Sequence, residues 1–161
     1  MLTTKYSILL EKVIIALNAN NNNPLKGLEA SCDILRESFD HYDWVGFYFA
    51  DHKAKMLHLK VFSGIPTEHT TIPFGRGICG QVATSNKNFI APNVQEQDNY
   101  ISCNIDVKSE LVVPLFLGEK NIGQIDIDSN TLNSFSKEDE FLLEDCCELI
   151  SKKYGSSLLS L

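Results

Sequence analysis

A chain of 161 residues, 43% hydrophobic and 22% charged, has the composition of a globular protein and the length to bury a sizeable core. Its net charge of −7, with basic pairs such as Lys152 and Lys153 isolated, argues against a nucleic-acid partner. No apolar stretch approaches a bilayer span. The opening MLTTKYSILLEK lacks the basic start, long apolar centre and cleavage site of a secretory signal. The expected address is the cytoplasm, with no membrane partner.

Taken in chain order, Thr3 to Ala19 spaces Ile8, Leu9, Val13, Ile14 and Leu17 at helical intervals. The polar run NANNNNP breaks it, and Pro24 suits the start of a second helix, in which Leu28, Cys32, Leu35 and Phe39 share a stripe. From Asp43 the pattern becomes that of strands. WVGFYFA reads as a buried strand and Met56 to Phe62 as its hairpin partner. Ser63 to Pro66 is a loop. PFGRGICGQVATS then predicts a glycine turn running into a short helix from about Ile78 to Ser85. Asn88 to Ala91 is a short strand, and Asn93 to Asp106 is a long polar loop. Glu110 to Leu117 and Ile122 to Asp128 form a second hairpin around LGEKN. Lys137 to Tyr154 closes the chain as a helix, with Ser136 at its N-cap and Glu138, Asp139 and Glu140 in its electropositive first turn. Leu142, Leu143, Cys146, Leu149, Ile150 and Tyr154 line its apolar face, with Cys147 at the edge of that face.

This order predicts an α+β architecture: an antiparallel sheet with the terminal helices (1–40 and 136–155) on one face and the middle of the 43–129 segment over the other. No internal repeat or second domain is evident, so 1–161 reads as one domain. A loop as long as 93–106 in such a fold points to function.

The residues with chemical potential concentrate in a few motifs. In GQIDIDS, alternation sends Ile125 and Ile127 to one face and Asp126 and Asp128 to the other. Two aspartates on one strand face repel each other. They are either a solvated outer face or, under a covering segment, the wall of a pocket. There, desolvation raises at least one pKa and suits the pair to an ammonium group or to proton donation. Glu110 opens the neighbouring strand. Hairpin register brings it towards Asp128 and Asp126, unless it is a solvated strand end.

The five cysteines are odd in number and show no C-x-x-C spacing, so neither a disulfide framework nor a structural metal is expected. Cys103 sits in the loop NYISCNID, outside any helical stripe, where a stabilised thiolate can act as a nucleophile. Cys79 lies where the glycine turn enters the short helix. It is either a small packing residue or a thiolate favoured by helix N-terminal amides. The glycines of GRGICG lack the ending of a phosphate loop.

Together, DWVGFY, IPFGRGICG, the ISC loop, SELVVPLF and GQIDIDS resemble the GAF-domain free methionine-(R)-sulfoxide reductases. The resemblance implies a six-stranded antiparallel sheet with a ligand pocket opposite the terminal helices. It implies free L-methionine (R)-sulfoxide as substrate, no metal or organic cofactor, a thioredoxin-type reductant and a possible homodimer. By it, Cys103 is the catalytic cysteine. Glu110, Asp126 and Asp128 hold the substrate's ammonium and assist protonation, while Trp44 and Tyr48 pack on its methyl and methylene groups. The chain departs from the family pattern where His69 stands in place of a further cysteine before IPFGRG, which leaves Cys79 as the second catalytic thiol. It departs again at Tyr100 and Asn104, which flank the nucleophile and replace a histidine and an aspartate. These changes leave a non-catalytic GAF module, binding a small ligand or sensing redox state, as the alternative.

Overall fold

Two apolar periods run through the chain, one of three to four residues in the helices and one of two in the strands, and both point at the same sheet. The computed structural model describes residues 4–98, 100 and 105–161. Helices α1 (Thr4–Ala19) and α2 (Pro24–Ser38) come first, followed by the hairpin of β1 (Trp44–Asp51) and β2 (Met56–Ser63). Strand β3 (Thr71–Pro73), helix α3 (Gly77–Ser85) and strand β4 (Phe89–Ala91) make the middle. The hairpin of β5 (Ser109–Leu117) and β6 (Lys120–Ser129) and helix α4 (Lys137–Tyr154) complete it. The strands form one six-stranded antiparallel sheet in the order β3-β2-β1-β6-β5-β4.

Strand β1 is buried from Trp44 to Phe49 because the sheet is covered on both sides. On one side α2 and α4 enclose Val45, Phe47, Ile125 and Ile127 with Leu28, Leu35 and Leu142, and α1 packs on those two helices. On the other, α3 and the segments around it cover Trp44, Tyr48, Val112, Ile78 and Val82. The α+β sheet predicted from sequence, with helices against one face and the middle segment over the other, is therefore the observed layering. Among the described residues no helix is long and apolar enough to cross a membrane.

Three expectations need correction. In α1 the buried stripe is Tyr6, Leu9, Val13 and Leu17, whereas Ile8 is 50% and Ile14 39% exposed. The reason is that α1 packs on α2 and α4 rather than on the sheet, and a helix–helix seam is narrower than a helix–sheet contact. Pro73, read as the start of the glycine turn, instead ends β3, which pairs with 56–58 at the sheet edge. Cys147, placed at the edge of its helical face, is buried beside Cys146. Burial pushes the Cys146 thiol up to about 12 and raises Cys32 and Cys147 well above the usual thiol range, so none of the three is a reactive thiolate.

Candidate functional site

The polar face of β6 is where the two halves of the sheet supply chemistry. Cross-strand pairing sets Asp128 opposite both Trp44 of β1 and Glu110 of β5, and Asp126 opposite both Gly46 and Val112. Glu110, Asp126 and Asp128 are all buried, Asp126 completely. The alternative of a solvated strand face therefore fails for these three; α3 packs on β5 and β6, with Cys79 against Glu110 and Asp126.

Helix α3 is set down by its glycine turn. Gly75 and Gly77 both adopt positive φ, a conformation that L side chains avoid, and the Gly75 N–H donates to the Gly80 carbonyl at 2.8 Å. At Gly80 an added Cβ would lie 2.6 Å from the Pro73 carbonyl oxygen, so the first turn of α3 is pressed against the end of β3. That contact points Cys79 down at the sheet. Its Sγ lies 3.3 Å from Asp126 Oδ2 and 3.8 Å from Glu110 Oε1, donating into the carboxylates.

Electrostatics follow from this crowding. Glu110 is raised well above the usual carboxylate range by burial, then by the charges of Asp126 and Asp128 and by its hydrogen bond with Asp126. The contact with Cys79 opposes the shift. Asp126 is raised by burial, against hydrogen bonds from Glu110 and Cys79. The group thus favours a protonated acid at Glu110 beside a carboxylate, the state that can both donate a proton and attract a cation.

Aromatic residues flank the acids. The Trp44 ring stacks on Phe62 with centroids 5.9 Å apart, and its Nε1 donates to the Ile65 carbonyl at 3.0 Å. An added Cβ at Gly46 would lie 2.3 Å from that ring, so the glycine makes room for Trp44 directly over the strand that faces Asp126. Tyr48 is fully buried on the same face and donates its hydroxyl to the His69 carbonyl at 2.9 Å. His69 is thereby tied to the site through its backbone.

Of the residues expected from sequence, Glu110, Asp126 and Cys79 meet directly, and Asp128, Trp44 and Tyr48 stand on the same sheet face. Cys103, with its neighbours 101, 102 and 104, lies outside the described residues. One residue was not singled out. Gln124 shares the face of Asp126 and Asp128, is fully buried, and neither its Oε1 nor its Nε2 has a hydrogen-bond partner among the described residues. The alternation in GQIDIDS contained this signal, two positions before the first aspartate.

The family model described as GAF domain matches residues 27–152. GAF domain-containing protein A of Dictyostelium discoideum is 36% identical over 137 residues, covering 85% of this chain and 85% of its own. The free methionine-R-sulfoxide reductase of Escherichia coli is 34% identical over 125 residues, 78% of this chain and 74% of its own. Among solved structures, free methionine-R-sulfoxide reductase from Neisseria meningitidis in complex with its substrate superposes with a TM-score of 0.84 at 29% identity, covering 100% of this chain and 96% of that one. Sheet order, layering and sequence likeness over most of its length agree that this chain belongs to the GAF domain family.

Proposed function

We propose that the protein reduces free L-methionine (R)-sulfoxide to methionine. The observation that carries this reading is the buried meeting of a thiol and two carboxyl groups, with a third on the same sheet face, beneath α3 and beside an aromatic wall. Relatives named free methionine-R-sulfoxide reductase, at about a third identity, support it.

In this reading Asp126 and Asp128 attract the substrate's ammonium, and Trp44 and Tyr48 flank its methyl and methylene groups. The thiolate of Cys103 attacks the sulfoxide sulfur while Glu110 protonates the oxygen. The oxygen passes to the cysteine as a sulfenic acid and methionine, with its sulfur reduced, departs. A second thiol, Cys79, condenses with the sulfenic acid to give a disulfide and water, and a thioredoxin-type dithiol in the cytoplasm restores both thiols. The chemistry requires no metal or organic cofactor.

The test is thioredoxin-coupled turnover of the free (R)-sulfoxide. Wild type is expected to turn over and Cys103→Ser to lose activity by ~10³-fold or more, as for loss of a covalent nucleophile. Turnover that survives in Cys103→Ser defeats the mechanism. A second reading is favoured by His69 in place of a thiol and by the Dictyostelium relative, named only for its GAF domain. In it the pocket binds the amino acid without consuming it. Methionine sulfoxide then raises the melting temperature and is recovered unchanged.

A further inference from the structure

We propose that Cys79, Glu110 and Asp126 form a binding site for a single borderline-soft divalent cation of the zinc class. Sequence spacing gives no hint of it, because the three ligands come from α3, β5 and β6 and meet only through the sheet.

The geometry is the first argument. A tetrahedral zinc ion with a bond of about 2.3 Å to sulfur and about 2.0 Å to oxygen sets its sulfur and oxygen ligands roughly 3.5 Å apart. Cys79 Sγ lies 3.3 Å from Asp126 Oδ2 and 3.8 Å from Glu110 Oε1, and ligand atoms of all three residues fall within 4.8 Å of one another. Without an ion the same contacts are sulfur–oxygen hydrogen bonds, so the ligands are already gathered before any metal arrives.

The second argument is unspent capacity. Asp126 is completely buried, and its Oδ1 has no hydrogen-bond partner among the described residues. Asp126, Glu110 and Cys79 line a cavity of about 10 Å³, bounded by Ile72, Ile78 and the Gly77 turn with Arg76 at its edge. That volume accommodates one water or one bare ion. A buried acceptor with no donor among the described residues, beside a space of atomic size, is open to a ligand.

The third argument is donor chemistry. One thiolate with two carboxylates would carry three negative charges, of which a dication offsets two. Three protein ligands leave a fourth position for water. Sulfur selects zinc-class ions over magnesium or calcium, which prefer oxygen alone. The ion would occupy Asp126, which the proposed reaction gives to the substrate's ammonium, and Glu110, its proton donor, so it would hold the enzyme inactive until removed. That regulatory consequence rests on the reductase reading; the binding does not.

The experiment titrates reduced, chelator-treated full-length protein with Co²⁺ as a spectroscopic stand-in, then displaces it with Zn²⁺. Wild type and Cys103→Ser are expected to show a saturable thiolate-to-cobalt charge-transfer band that Zn²⁺ abolishes and Mg²⁺ does not. Cys79→Ser is expected to lose the band and to bind Zn²⁺ ~100-fold more weakly or worse, since loss of a ligand exceeds loss of its supporting shell. Absence of saturable binding, a band that survives in Cys79→Ser, or one lost in Cys103→Ser overturns the assignment. Should Cys79→Ser not fold, alkylation of Cys79 in wild type is followed by mass spectrometry. Zn²⁺ is expected to slow it at least tenfold, and an unchanged rate rejects the site. Turnover is assayed separately in chelator, so an inactive protein that binds cobalt refutes the reductase alone, and an active one that does not refutes the metal site alone.

Discussion

Glu110 holds a proton in the folded chain more tightly than it can when unfolded, because burial and two aspartates oppose its charge. Raising pH from the ordinary value of 4.5 therefore favours the unfolded chain, which releases that proton first. Stability is lost up to the raised native value, by at most about 1.4 kcal/mol per pH unit for this one group. Glu110→Gln is expected to flatten this decline and to be the more stable form at neutral pH. Parallel urea-denaturation profiles for the two proteins across that range would contradict it. Gln124 makes a companion case on the same strand face. A buried carboxamide with no partner among the described residues penalises the fold, and an apolar side chain of similar length removes the penalty. Gln124→Met should raise stability by roughly 1–3 kcal/mol, read as a higher denaturation midpoint. The strand alternation that places both residues was visible in the sequence. Their burial was not, because nothing in GQIDIDS says whether a helix lies over it.

The elements that place these residues are held at their ends. At the start of α4, Asp139 accepts from the Ser136 backbone N–H at 2.8 Å and from the Tyr42 hydroxyl, and lies 3.6 Å from His41 Nε2. Burial and this carboxylate push the Tyr42 phenol far up, so it stays protonated and donates. Asp139→Ala leaves the Tyr42 hydroxyl buried without its acceptor and removes one half of the capping box. A loss of about 2–3 kcal/mol is expected by chemical denaturation. A loss below about 0.5 kcal/mol would mean that solvent replaces the carboxylate. The helix was legible to the residue, since Ser136, the acidic first turn and the apolar period all agree on it. The middle of the chain was less so. The strand at 71–73 is three residues long and exists through its partner, so no internal period could announce it. In α1 the sequence offers two apolar stripes, and only the docking of its neighbours decides which is buried.

That choice leaves Ile8 and Ile15, one heptad apart, 50% and 67% exposed on the outer side of α1. A homodimer through this helix is the molecular-scale expectation, giving a contact face to the homodimer that the resemblance implies. Ile8→Lys with Ile15→Lys is expected to convert a dimer to a monomer by light scattering. An unchanged mass in the double variant rejects this face. The architecture itself followed from the order of elements and the shift between periods, whereas the meeting of Cys79 with Glu110 and Asp126 required three separate segments to be brought together. Strand β6 supplies both sides of the sheet in turn: Ile125 and Ile127 to the helical layer, Asp126 and Asp128 to the acids. A slip of one residue in its pairing would drive the carboxylates into the greasy layer and set isoleucines against Cys79. Correct assembly of the core thus proofreads the chemistry, and a misthreaded molecule is eliminated by its own instability before it can present a faulty hollow.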